Sequence, residues 1–341
     1  MREATLYTKK TDKAVECSAC AWRCRIAEGK TGVCGVRQNI GGKLFLLVYG
    51  RAVSANIDPI EKKPLYHFLP GEKIFSIGTI GCNFGCEFCQ NFDISQASRA
   101  GGAEIDVVKS GDELSPEEAV NFCIEHRIPA IAFTYNEPAI FAEYAVEVMR
   151  LAKSHGIKGV FVSNGYETPE ALDFLAPFID AYNIDLKGFT EKYYQKICKT
   201  KLAPVIATIQ EIFRRGVWLE ITTLLVPGEN DSEGELRNIA GFIRNISPNI
   251  PWHLSAFYPT YQMTDRPATA PESLTKAYQI GKEAGLRYVY TGNISDMEMS
   301  KTICPKCNEV LIERHGFSVQ KNILEDNSCP YCREEISGVW R

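Results

Sequence analysis

The chain has no apolar run long enough to cross a membrane. Its first residues, Met1-Arg2-Glu3-Ala4-Thr5, lack the apolar core of a secretion signal. Both absences count against membrane and secreted classes and set the expectation of a cytoplasmic protein. The chain also lacks a strong excess of either charge. A formal net charge of −4 over 341 residues argues against a broad grip on nucleic acid or a membrane surface. Apolar content is ample instead. At 45% it can fill a sizeable core, and the length fits one large catalytic domain with small appendages.

Cysteine is abundant, with 13 residues. All but Cys123 and Cys198 fall in three compact groups with metal-ligand spacings. Such clusters inside a cell indicate metal or redox groups more than disulfides, and an oxygen-sensitive protein. Cys123 lies in an amphipathic segment and reads as a small buried hydrophobe. Cys198 receives no assignment.

The central group is Cys82, Cys86 and Cys89, spaced C-x3-C-x2-C within Gly78–Asn91, after a strand-like run from Ile74 to Ile77. Glycines 78, 81 and 85 let the backbone turn tightly around something bulky. A cubane iron–sulfur cluster takes four thiolates, so three would leave one iron open to a substrate or cosubstrate. A zinc knuckle completed by a distant Cys or His is the competing reading.

Cys17, Cys20, Cys24 and Cys34 form a second group, spaced C-x2-C-x3-C-x9-C. The spacing suits a closed zinc site, the preferred reading, or an auxiliary iron–sulfur cluster. Cys304, Cys307, Cys329 and Cys332 repeat C-P-x-C twice, the pattern of a structural zinc ribbon. Three regions are therefore expected: a cysteine-rich N-terminal module with its connector over 1–70, a catalytic domain over 71–300 and a ribbon over 301–341.

Between the ribbon and Lys73, strand and helix alternate. Strands are predicted at 74–77, 130–133, 159–162, 182–186, 218–225, 252–257 and 288–290. Ser115-Pro116-Glu117-Glu118 is a capping box, Thr168-Pro169 opens another helix, and Gly156 and Gly285 stop helices. Repeated βα units imply parallel strands with helices outside. Asp58 to Gly71 reads as a solvated connector in which His67 is structural. The Gly-rich stretch Ala97–Gly111 reads as a mobile loop or lid beside the cysteines.

Ligands of parallel α/β folds bind at the carboxyl ends of the strands. Those ends carry Thr134-Tyr135-Asn136-Glu137-Pro138, Ser163-Asn164-Gly165, Asp185-Leu186-Lys187 and, with His253 upstream, Phe257-Tyr258-Pro259. Together they suit a polar zwitterion, which needs both charge signs and hydrogen bonds.

Cys82, Cys86, Phe88 and Cys89 resemble the C-x3-C-x-aromatic-C signature of radical S-adenosylmethionine (radical SAM) enzymes. In that family the open iron of a [4Fe–4S] cluster is chelated by the amino and carboxylate groups of S-adenosylmethionine. Reductive cleavage then gives methionine and a 5′-deoxyadenosyl radical that abstracts hydrogen. The rim motifs are similar to those of pyruvate formate-lyase activating enzymes, with Tyr135-Asn136 where those have two glycines. Val162 stands where some of them have an aspartate of a cation site, which puts such a site in doubt here. Over nearly its whole length the chain most resembles the radical SAM member of the AmmeMemoRadiSam system. That match includes Glu61-Lys62-Lys63-Pro64 and Gly338-Val339-Trp340.

The resemblance implies an α/β fold, a partial (β/α)6 TIM-like barrel. It implies that Phe88 packs near the adenine. Asn136, Glu137, Ser163, Asn164, Asp185, Lys187 and His253 would contact S-adenosylmethionine. It also implies a flavodoxin- or ferredoxin-like electron donor and an unidentified substrate, either a partner protein or a small molecule or lipid. A non-catalytic iron–sulfur or zinc scaffold is the reading from another class.

Overall fold

The computed structural model describes residues 1–99, 106–294 and 298–341. One eight-stranded sheet organises it. Strand β1 (Ser54–Pro59) lies antiparallel along β2 (Lys73–Gly78). From β2 each strand pairs in parallel with the next: β3 (Ala130–Phe133), β4 (Lys158–Ser163), β5 (Ala181–Asp185), β6 (Trp218–Leu225), β7 (Trp252–Ala256) and β8 (Val289–Gly292). The six crossovers carry helices α1 (Pro116–His126), α2 (Ala142–Ala152), α3 (Pro169–Leu175), α4 (Ala203–Arg214), α5 (Glu233–Ile246) and α6 (Pro271–Glu283). Among the described residues, no pairing joins the edge strands β1 and β8, so the sheet is open. No helix among the described residues is long and apolar enough to cross a membrane.

The expected boundary signals operate. Ser115 Oγ accepts from the Glu118 amide at 3.2 Å while Glu118 returns the bond to the Ser115 amide at 2.7 Å. Thr168 and Ser232 cap α3 and α5 with one bond each, accepting from the Ala171 and Glu235 amides. Gly156 and Gly285 end their helices at φ 73° and 90°, where a Cβ would be strained. Cys123 is buried on α1, as an apolar residue would be. Of the stretch read as a lid, residues 100–105 lie outside the described residues. Beyond them, Asp112–Glu113 pairs with Arg51–Ala52.

The N-terminal segment forms two small three-stranded sheets. Its Leu6, Val15 and Leu44 belong to one apolar cluster with Phe75 and Ile77 of β2 and Tyr144 of α2. A buried ion pair joins Arg37 to Glu143 of α2, and Glu143 also accepts from the Thr5 and Leu6 amides at 3.0 and 3.2 Å. Such a pair holds only because every charge is hydrogen-bonded.

The connector is not solvated, contrary to expectation. Ile60, Glu61, Lys63, Leu65, Tyr66, His67 and Phe68 are all buried. Glu220 of β6, wholly buried, accepts from the Tyr66 and His67 amides at 3.0 and 2.8 Å. From the C-terminal hairpin (Val310–His315 and Ser318–Asn322), Arg314 reaches in. Its Nη2 donates to the Tyr66 carbonyl at 2.8 Å, and its Nε lies 3.6 Å from Glu61 Oε1. The Val339 amide donates to the His67 carbonyl and the Leu69 amide to the Val339 carbonyl, each at 2.7 Å. The prolines and lysines looked like linker chemistry, but the anchoring partners lie more than a hundred residues away in sequence.

His67 is structural, as read. Its Nδ1 lies 2.7 Å from the Ser337 carbonyl and its Nε2 2.6 Å from Tyr290 Oη. A carbonyl can only accept, so Nδ1 carries the proton and Nε2 accepts from the tyrosine. Burial lowers the His67 pKa to about 4, with Glu220 opposing and Arg314 and His253 adding to the shift. The unfolded chain then binds the extra proton first as pH falls. This contribution to stability is complete above about pH 6.5 and is lost toward pH 4, by at most about 1.4 kcal/mol per pH unit. His67→Asn keeps a donor for Ser337 and removes the titration. Denaturant unfolding between those pH values should show a shallower slope in the variant; equal slopes would contradict this role.

Candidate active site

The three cysteines of the central group sit on the loop that leaves β2. Gly81 takes φ 96°, and a Cβ there would meet Val36 Cγ1 at 2.7 Å and the Cys34 carbonyl at 2.8 Å. The loop can therefore approach the N-terminal segment only with glycine at this place. Cys82 Sγ accepts from the Phe84 amide at 3.4 Å and from Asn164 Nδ2 at 3.6 Å. Cys89 Sγ lies 3.0 Å from Ser95 Oγ. Burial raises the pKa of both thiols, so a bare site holds them protonated. Donors aimed at the sulfurs favour thiolates once a metal displaces those protons. Two buried cysteines and one half-buried, with N–H or O–H groups at the sulfurs of Cys82 and Cys89, fit a thiolate-ligated cluster.

Cys86 lies beside Cys198, the cysteine without an assignment, and a hydrogen bond in which the Cys86 thiol donates to it is the largest influence raising the Cys86 pKa. Cys198 ends a π-helical turn, Tyr194–Cys198, and its carbonyl accepts from the Gly85 amide at 3.1 Å. Turns of this kind gather at functional sites.

These cysteines open onto a cavity of about 550 Å³, within the range of small-molecule sites. Phe88, Asn136, Ser163, Asn164, Asp185, Lys187 and His253 also line it. Sheet register explains part of the convergence: Asp185, Thr222 and His253 are direct neighbours across β5, β6 and β7. Lys187 Nζ pairs with Asp185 at 2.7 Å and stands 5.9 Å from the Phe88 ring centroid. Burial opposes the lysine's charge, yet Asp185 holds its pKa above the ordinary value.

A family model for the radical SAM superfamily matches residues 76–239. An uncharacterized protein of Methanocaldococcus jannaschii is 40% identical over 342 residues, covering 99% of this chain and 100% of its own. The chain belongs to the radical SAM superfamily. A pyruvate formate-lyase-activating enzyme of Clostridium pasteurianum is 22% identical over 172 residues, 49% of this chain and 67% of its own. A solved radical SAM methyltransferase from Sphaerobacter thermophilus superposes with a TM-score of 0.50 at 17% identity, covering 71% of each chain. That last likeness concerns the fold. Family membership implies a [4Fe–4S] cluster and S-adenosylmethionine.

One residue expected to contact S-adenosylmethionine stands apart from this cavity. Glu137 has no exposed surface and does not line the cavity. Its carboxylate accepts from the Ala139 amide (2.9 Å), the Asn164 amide (2.7 Å) and Ser163 Oγ (3.0 Å). Ser163 Oγ also lies 2.7 Å from Glu167 Oε1 and accepts from the Gly165 amide. A hydroxyl has one proton to give, so one of the two carboxyls must itself be protonated. Burial raises the pKa of both. The two amides favour charge on Glu137, which leaves the shared proton on Glu167. Glu137 thus holds the Ser163–Asn164 loop in place from beneath.

The two asparagines are similarly occupied. Asn136 Nδ2 donates to Thr79 Oγ1 at 3.0 Å and to the Gly81 carbonyl at 2.7 Å, pinning the cysteine loop. Asn164 Nδ2 reaches Cys82 and Asn83. Tyr135, where the activating enzymes have glycine, takes a left-handed φ of 70°. Its Oη donates to Asp58 at 2.7 Å, and Lys63 Nζ lies 5.1 Å from its ring centroid. These contacts offset a strain that glycine would not carry. Sequence reasoning missed Glu167 and Glu220, since a lone acid on a strand or loop usually faces water. It also missed Lys63, which lines the cavity and whose pKa burial lowers to about 8.

At the C-terminus, Cys304 and Cys332 sulfurs lie 3.5 Å apart and those of Cys307 and Cys329 3.6 Å. All four sulfurs fall within 4.8 Å of one another, so this group could bind a metal ion.

Proposed function

We propose that the protein is an enzyme that cleaves S-adenosylmethionine reductively and directs the resulting radical at a partner protein. The observation that carries this is the convergence of Cys82, Cys86 and Cys89 with Ser163, Asp185, Lys187 and His253 on one cavity. Cys82, Cys86 and Cys89 would hold the [4Fe–4S] cluster, whose open iron supplies the electron and the anchoring point for the cosubstrate. The sheet is read as the curved partial barrel of this family, six βα units followed by a seventh parallel strand. The three regions 1–70, 71–300 and 301–341, the cytoplasmic setting and membership of the AmmeMemoRadiSam group belong to the same reading. So does a flavodoxin- or ferredoxin-like electron donor. The similar pyruvate formate-lyase-activating enzyme supports a protein target. A small molecule or lipid is the second target class.

The chain's own residues divide the work. Phe88 offers an aromatic face for the adenine. Lys187 and Asp185 supply both charge signs for the zwitterionic end. Asn136 and Asn164 fix the cysteine loop, and Glu137 fixes Asn164 and Ser163. Because Glu137 faces away, the anionic partner of the cosubstrate's amino group passes to Asp185. His253 is held by Glu220 at 2.6 Å and lines the cavity in the same row. The four C-terminal thiolates would hold zinc, at a spacing close to that of four sulfurs on one ion.

Asp185→Asn keeps size and removes charge. Losing a charge-assisted bond should cost roughly 1–2 kcal/mol, about 5- to 30-fold in affinity for S-adenosylmethionine. Anaerobic titration of the reconstituted protein, read by the change in the reduced cluster's electron paramagnetic resonance (EPR) signal, tests this. No spectral response in the wild-type protein would defeat the proposed function. A wild-type affinity in the variant would defeat only the role of Asp185.

A further inference from the structure

Cys17, Cys20, Cys24 and Cys34 all line one small cavity of about 10 Å³ beside the loop of the first cysteine group. The loop that carries three of them is firmly docked. The Ala21 amide donates to the Tyr166 carbonyl at 2.8 Å, and Trp22 Nε1 donates to the Asn83 carbonyl at 2.9 Å. These three cysteines and Cys34 line a common space.

The size of that space bears on what fills it. Four thiolates closed on zinc stand about 2.3 Å from the ion, which leaves no gap for a water between them. The C-terminal group has that tight form. Among the described residues, no other set of three or more Cys, His, Asp or Glu closes to the same spacing. The N-terminal sulfurs instead surround room for about one water molecule. Sulfurs held apart around a common centre fit a group in which each of four irons takes its own thiolate.

Asn83 gives the second, independent observation. It lines this cavity, is 1% exposed, and its Nδ2 has no hydrogen-bond partner. Its Oδ1 is used on the other side, accepting from Asn164 Nδ2 at 3.3 Å. A buried amide donor without an acceptor carries a desolvation cost of about 1–3 kcal/mol. A cluster sulfur in the cavity would supply the acceptor.

We infer that Cys17, Cys20, Cys24 and Cys34 hold a second [4Fe–4S] cluster, with Asn83 Nδ2 donating to one of its sulfurs. Four protein thiolates leave no open iron, so this cluster binds no substrate. Asn83 follows Cys82 in the chain and touches both cysteine groups, which sets the two clusters side by side.

The test counts metals in the full chain, purified anaerobically and reconstituted with iron and sulfide. The wild-type protein should carry about eight irons and about one zinc. A Cys82→Ala, Cys86→Ala, Cys89→Ala triple variant should retain about four irons and a reducible cluster signal. About four irons and about two zincs in the wild type, or a triple variant with zinc alone, would overturn the inference. Should the triple variant fail to fold, a Cys17→Ser, Cys20→Ser variant must lose about half of the wild-type iron. Retention of all the iron by that variant would equally overturn it. These counts separate this site from the first, because each variant removes the ligands of one group only. In the triple-variant background, Asn83→Leu should lower the midpoint potential of the remaining cluster, as loss of a donor to sulfur disfavours the reduced form. An unchanged potential would remove the role given to Asn83.

Discussion

Replacing Cys82 with alanine is expected to abolish formation of 5′-deoxyadenosine while leaving the chain folded. Cys82 has two donors aimed at its sulfur, and its loop is tied to β3 and β4 by Asn136 and Asn164. Removing the sulfur strips the first group to two thiolates, too few to hold a cubane. Of the backbone groups, only the Phe84 amide loses its acceptor; the other backbone bonds that shape the loop do not involve the thiol, so circular dichroism should be unchanged. Iron should fall by about four per chain, and the variant should no longer respond to S-adenosylmethionine. Full activity in a variant that has lost the cluster would show that these cysteines are not the site of chemistry.

The second large effect is on stability. Arg314→Met should cost about 3–5 kcal/mol, because it leaves Glu61 buried without its cation. Both side chains are fully enclosed, with Arg314 stacked 4.2 Å over Tyr66 and donating to Thr302 Oγ1 at 2.9 Å. Burial already raises the Glu61 pKa against the pull of Arg314, so the acid would take up a proton once that pull is gone. Pairing Arg314→Met with Glu61→Gln should recover a substantial part of the loss, since no buried charge then remains unpaired. Chemical unfolding of the two single variants and the double variant measures the coupling. Additive losses would mean that the two groups stabilise the fold independently. The same contacts make removal of residues 301–341 more than the loss of a metal site, for they would uncover Tyr66 and His67 beside the cavity.

Much of this was legible beforehand, and the reasons are local. The seven parallel strands announced themselves as apolar runs because strands covered on both faces carry little polarity. Helix starts at Ser115 and Thr168 could be read because a cap acts on the next few residues alone. The cysteine groups are likewise short-range patterns. Strand β1 escaped notice because it is short on apolar residues and ends in Pro59; its Ala55 and Ile57 face solvent, as suits an edge. The connector was misjudged because its burial depends on Glu220 and Arg314, distant in sequence. Glu137 was read as a ligand from its place after β3, but its direction is set by three donors, two of them from the end of β4 and the residue that follows it. Motif position locates a residue on the rim; only the neighbouring strand decides which way its side chain turns.

The most direct test of the central reading is anaerobic incubation of the reconstituted wild-type protein with S-adenosylmethionine and a strong one-electron reductant. The products are then separated chromatographically. Methionine and 5′-deoxyadenosine in equal amounts, absent without reductant and absent with Cys82→Ala, is the predicted result. Protein that carries its full iron, binds S-adenosylmethionine and still forms neither product would contradict it.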